Sequence, residues 1–226
     1  MELTILDKIP LRIDIASFLK SLRISEGSEY TNEICRLVRE AQAIAKPKGI
    51  YAGASIESRN DESVVVEAIT FTSRILRVNL EETDQVFPFI ATCGIELEKW
   101  STSIEGMLNR YCADMIKESA LESASRTLRE HLAETYCPGL LSMMNPGSLP
   151  DWPLSEQRNL FDLFGDAVDS IGVHLTDSFV MFPVKSVSGM FFPASERFES
   201  CQLCARKCPK RRAPYDEELY ERKYRK

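Results

Sequence analysis

The chain has 226 residues, 44% of them hydrophobic and 27% charged, and its 28 lysines and arginines against 34 aspartates and glutamates leave a net charge of −6. That length and apolar content suffice for a packed core and argue against disorder, while the acidic balance gives no general reason to bind nucleic acid. No window reaches the ~18 consecutive apolar residues of a membrane span, and the charges in MELTILDKIPLRID replace the apolar stretch a signal peptide needs, so the chain reads as cytoplasmic.

In chain order, ELTIL and KGIYAGASIE have strand composition, and Glu29 to Ala45 carries Ile34, Leu37, Val38, Ala41 and Ile44 at helical spacing before the stop signal Lys-Pro-Lys-Gly at 46–49. SVVVEAITF reads as one buried strand. The apolar run VFPFIATCG, residues 86–94, closes on glycine and leads into the helical IELEKWSTSI. From Asn109 to Tyr136 the stripe Ile116, Ala120, Leu121, Ala124, Leu128 and Leu132 predicts a long amphipathic helix. CPGLLSMMNPGSLPDWPLSEQ, with four prolines and two glycines, predicts repeated turns before LSEQRNLFDLF resumes helical spacing. Residues 171–192, IGVHLTDSFVMFPVKSVSGMFF, read as strands broken by turns.

The tail is different in kind. Seven cysteines is an odd number, and a reducing compartment disfavours a disulfide framework, so three thiols within CQLCARKCPKRR suggest metal. Cys201, Cys204 and Cys208, followed by Pro209, reproduce the last three ligands of the bacterial ferredoxin run C-x2-C-x2-C-x3-C-P, which favours an iron–sulfur cluster. Zinc is the alternative for the same thiolates, and ordinary free thiols are the plain one. Cys93, Cys112 and Cys137 are candidates for a fourth ligand. Arg206, Lys207, Lys210, Arg211 and Arg212 surround the thiols with positive charge that would favour thiolates. Without interleaved aromatics this patch ranks nucleic acid last among its partners.

Three segments resemble the activation domain of cobalamin-dependent methionine synthase and its free-standing relatives. They are ESALESASRTLREHL, the NPG turn after it, and residues 171–192, where Gly172, Leu175, Thr176, Ser178, Phe179, Met181, Pro183, Ser186, Val187, Ser188, Gly189 and Phe192 fall in the family's order. The likeness covers roughly residues 109–193 and extends more loosely from about 85. It implies an α+β fold in which helices pack on an antiparallel sheet, and the runs read above agree. It divides the chain into an N-terminal α/β portion, 1–84, an activation-domain-like core, 85–193, and a cysteine-rich basic segment, 194–226.

The resemblance also implies a role: docking over a corrinoid protein whose cobalt is trapped as Co(II), and presenting S-adenosylmethionine so that an unfavourable one-electron reduction is pulled forward by methylation. The expected partners are a corrinoid-binding methyltransferase protein and an electron donor, with cobalamin carried by the partner. The expected ligand-facing residues are Met143, Pro146, Gly147, Ser148 and Ser186, Val187, Ser188, Gly189. Two of them depart from the family, which has arginine at the position of Met143 and tyrosine at that of Ser148. A tail with its own cluster could supply the electron from within the chain. The rivals are a zinc-stabilised binding module without redox work and an S-adenosylmethionine-binding methyl donor domain.

Other residues favour plain readings. Trp152 between prolines anchors a loop more readily than it stacks on a ligand, Cys93 suits a small buried hydrophobe, and Asp177 suits a turn. Glu118 and Glu122, one helical turn apart, suit a solvated face. His131 and His174 have no companions for a hydrolase site, and there is no phosphate-binding glycine loop.

Overall fold

The computed structural model describes residues 1–136, 139–209 and 211–225. β1 (Glu2–Leu6) pairs with the first half of the long β2 (Lys48–Arg59). Between them lie α1 (Ile15–Ser21), whose N-terminus is capped by Asp14 accepting from the Ser17 amide at 2.9 Å, and α2 (Thr31–Ile44), which buries Ile34, Leu37, Val38 and Ala41. The stretch expected as one buried strand is instead a hairpin of β3 (Ser63–Val66) and β4 (Ile69–Thr72). Its turn residues, Glu67 and Ala68, both have positive φ (49° and 65°). Left-handed backbone in non-glycine residues gives no Asn-Gly signature to read.

α3 (Arg74–Asn79) follows, then β5 (Gln85–Thr92), α4 (Ile95–Thr102) and the 29-residue α5 (Met107–Thr135). The Pro/Gly-rich stretch expected to hold only turns contains a short strand, β6 (Leu141–Met144), whose Leu141 and Met144 are buried. Four residues among prolines are too few to show an alternation. α6 (Gln157–Phe164), the two-residue strands β7 (His174–Leu175) and β8 (Met181–Phe182), and β9 (Ser186–Pro193) complete the body.

The main sheet is antiparallel in every pairing, in the order β4-β3-β2-β5-β9-β6 with β1 on β2, and helices pack against it, so the fold is α+β. β2 pairs with β5, so the first 84 residues and the segment after them share one sheet. The central strands are covered on both faces. Tyr51, Phe87, Phe89 and Ala91 pack with Ala124, Leu128 and Leu132 of α5, while Ile50, Ala52 and Ile90 pack with Phe164, Val168 and Ile171. That double burial is why β5 reads as an unbroken apolar run. Among the described residues no helix is long and apolar enough to cross a membrane.

Candidate functional site

The NPG turn is fixed from several directions. Gly147 has φ +79°, its amide donates to the Trp152 carbonyl at 2.7 Å, and the Ser148 amide donates to the Asn145 carbonyl at 3.2 Å. Trp152 is fully buried edge-on to Phe71, so it anchors the loop; its indole N–H has no hydrogen-bond partner among the described residues. Asp151 accepts from the Ile75 amide at 3.0 Å and from the Ser73 hydroxyl, tying the loop to the start of α3.

Asn145 then crosses to β9, its side-chain amide donating to the Ser188 carbonyl at 2.7 Å. Buried Gln157 accepts from the Ser188 hydroxyl at 2.9 Å and donates to the Phe179 carbonyl at 2.7 Å. Ser186 Oγ lies 2.7 Å from the Pro183 carbonyl and 2.9 Å from Thr92 Oγ1. The serine hydroxyls of SVSG are thus engaged by the protein and set shape more than acid–base chemistry. Thr176 closes a turn by accepting the Val180 amide at 3.1 Å.

These contacts frame a cleft of about 1000 Å³ between α5, the NPG loop, β9 and the tail. Met143, Pro146, Gly147, Ser148, Ser186, Val187 and Ser188 all line it, together with Leu121, Leu154, Val180, Met181 and Val184. Gly189 does not. A Cβ there would strike the Met144 carbonyl oxygen and the Asn145 side chain, so its role is to let β6 and the NPG loop close on β9. Glu118 and Glu122 of α5 face the cleft, and Glu118 also binds Lys185 at 3.1 Å. Burial alone would lower the Lys185 ammonium, but its bonds to Asp114 and Glu118 outweigh this and raise it. A smaller hollow of about 540 Å³, near α3 and the C-terminal turn, contains none of the residues expected to face a ligand.

The tail forms part of the cleft wall through Cys201 and Arg212. Arg211 knots the loop by donating to the carbonyls of Cys201 (2.7 Å), Cys204 (2.6 Å), Arg206 (2.6 Å) and Ala213 (3.4 Å). Its charge therefore holds backbone together. Further on, Tyr224 is buried with its hydroxyl donating to Asn79 at 2.8 Å, and burial pushes its phenol up to about 12.

The three tail thiols occupy different surroundings. Cys201 faces the cleft, Cys204 packs with Leu203 on the core cluster of Phe198 and Tyr224, and Cys208 is exposed. Among the described residues no three His, Cys, Asp or Glu side chains converge so as to hold a metal ion, so the thiols are not a preformed site. Cys93 and Cys112 lie in a separate helical core with Leu97 and Ala113, and burial pushes the Cys93 thiol up to about 12, which keeps it protonated there. Cys137 and Lys210 fall outside the described residues.

Gln157 escaped the sequence reading, and Arg212 entered it only as one charge among several around the thiols. A buried amide at a helix start and an arginine in a basic run look ordinary, and only the convergence of loop, strand and tail gives them a place.

The architecture is that of an α+β domain with a ligand-sized cleft beside its central sheet. The profile of the family described as vitamin B12 dependent methionine synthase, activation domain, matches residues 145–207, a segment holding the NPG loop, β9 and all of Cys201 and Cys204. Among solved structures the chain is similar to a crystal structure of the MetH reactivation domain bound to AdoHcy, at 17% sequence identity and a TM-score of 0.61, over 88% of this chain and 81% of that one. No curated protein matches the chain in sequence. Of the three segments that carry the resemblance, the NPG turn and residues 171–192 lie within the profile match, and the fold agrees over most of the chain.

Proposed function

We propose that the chain is a reactivation module for a corrinoid protein. The observation that carries this reading is convergence: the NPG and SVSG turns, far apart in sequence and both within the profile-matched segment, meet in one cleft with a tail thiol on its wall. The partner's cobalt is the substrate. This chain's residues give the methyl donor, S-adenosylmethionine, an apolar bed of Leu121, Met143, Val180 and Val187 beside the acids of α5. Exposed Val180 and Val184 extend that surface outward, where a corrinoid-binding methyltransferase protein would sit. The working compartment is the cytoplasm. The body, 1–84 and 85–193, forms the cleft, and the segment 194–226 completes it.

The finer part of the proposal gives Cys201, Cys204 and Cys208 an iron–sulfur cluster that would supply the electron, received in turn from an external donor. It is supported by the ferredoxin-like spacing and by the position of Cys201 on the cleft. Because the thiols are not gathered as folded, loading must rearrange the loop that Arg211 holds. A second reading, a zinc-pinned binding module without redox work, is favoured by Leu203 and Cys204 packing on the core, where the tail serves as a fastening.

The test is to mix the anaerobically reconstituted, reduced protein with a Co(II) corrinoid protein and follow the cobalt spectrum. Conversion to methyl-Co(III) only when S-adenosylmethionine is present is expected; an unchanged spectrum overturns the activator reading. Metal analysis of the same sample separates the two tail readings. Iron with sulfide and visible absorption supports the cluster, zinc alone supports the fastening, and neither removes both.

A further inference from the structure

Of all the described residues lining the cleft, Arg212 alone is a cation. It comes from the tail and faces a cavity whose other charged groups, Glu118 and Glu122, are acids on α5. Its side chain is half exposed, with Nε 3.2 Å from Glu199 Oε2. Glu199 is itself held: its Oε1 accepts from Arg197 at 2.8 Å, its carboxylate caps the short turn at Ser200–Gln202, and its amide donates to Gln202 Oε1 at 2.9 Å. One edge of the guanidinium is therefore fixed by a carboxylate that is fixed in turn, and its two terminal nitrogens have no hydrogen-bond partner among the described residues.

Two parallel N–H donors on a fixed plane match the two oxygens of a carboxylate. A phosphate dianion suits the place less well, since Arg212 is the only cation among the described lining residues, Glu122 and Glu199 add carboxylates, and Lys185 is already engaged by Glu118. Glu122, which lines the same cleft, can take the positive end of the same ligand.

We propose that Arg212 is the carboxylate-binding residue of the cleft, so that the tail contributes half of a site for a ligand ending in an α-amino acid group. This rests on the reading of the cleft as a site for an S-adenosyl compound, and it makes the tail a determinant of ligand choice as well as a carrier of thiols.

The experiment is calorimetric titration of the full chain with S-adenosylhomocysteine and with 5′-methylthioadenosine, which has the same nucleoside and thioether but no amino acid group. The wild type should prefer S-adenosylhomocysteine. Arg212→Ala should weaken that ligand by about ten- to hundredfold, the loss of a charge-assisted contact, and bring the two affinities close together. Arg212→Lys, which keeps the charge and loses the fork, should fall between. Circular dichroism and melting of both variants should match the wild type, because the side chain is half exposed. A preference that survives in Arg212→Ala overturns the proposal while leaving the cleft reading intact. Failure of the wild type to bind S-adenosylhomocysteine overturns both.

Discussion

The cleft has two walls built by different means. On one side β9 is locked into the sheet through β5, with Phe87 to Thr92 facing Phe191 to Ser186 in continuous register, and through β6 on its other edge. On the other side the tail from Ala194 onward pairs no strand among its described residues; it is tied within itself by Glu199 and Arg211 and held to the body at separate points, the Ala194 amide on the Leu140 carbonyl, the Phe198 amide on Ser142 Oγ, the Tyr224 hydroxyl on Asn79, and the packing of Phe198, Leu203 and Tyr224. Support spread along a ladder tolerates the loss of any one contact. Support gathered at isolated points, the buried Tyr224 chief among them, tolerates it less, so the tail wall is the one that single substitutions should loosen.

The largest effect should come from Tyr224→Ala. It removes a fully buried ring packed on Phe198 and the hydroxyl bond to Asn79, and should cost about 3–5 kcal/mol in a denaturant titration, with the tail becoming sensitive to proteolysis. The same residue gives a pH test. Below pH 10 its phenol is neutral whether docked or free, so docking is unaffected. Between pH 10 and about 12 the free phenol ionises while the buried one does not, so docking should weaken with rising pH across that window, read as tyrosinate absorbance. Next is Gly189→Ala, aimed at the sheet wall, where the added methyl meets the backbone of β6 and should cost about 1–3 kcal/mol by the same titration. A loss exceeding that of Tyr224→Ala would break the comparison.

Arg211→Ala should lower stability by about 1–2 kcal/mol, yet speed modification of Cys201 and Cys204 by a disulfide reagent, since the loop loses its central clasp. The smallest change in stability, and the sharpest contrast, comes from alkylation of the intact protein at pH 8 read by mass spectrometry. Cys208 and Cys201 should react, while Cys93, with its thiol pushed up to about 12 by burial, stays unmodified.

The same division explains what could be read from the sequence. α2 and α5 declared themselves because long helices with one buried stripe carry many repeats of a strong period, and Ile116, Ala120, Ala124, Leu128 and Leu132 are all buried. The β3–β4 hairpin and β6 were missed because a turn through Glu67 and Ala68 and a four-residue strand carry no periodic or glycine signal. At the cleft, the NPG and SVSG stretches were legible as short patterned segments. Arg212 and Gln157 were not, since their meaning depends on which distant parts of the chain fold against them. The thiol spacing was legible as a pattern, but spacing is one-dimensional, and it did not disclose that Cys201, Cys204 and Cys208 face three different environments.

The partnership of β5 with β9 also sets an order of assembly. Thr92 and Ser186, whose hydroxyls meet in the finished sheet, are 94 positions apart, so during synthesis β5 must leave the ribosome with one hydrogen-bonding edge bare until almost the whole domain has followed it. An apolar edge left open that long is a target for chaperones and for self-association. Interruption of translation before β9 emerges should therefore yield an insoluble fragment, and the cleft comes into being only as one of the last acts of folding.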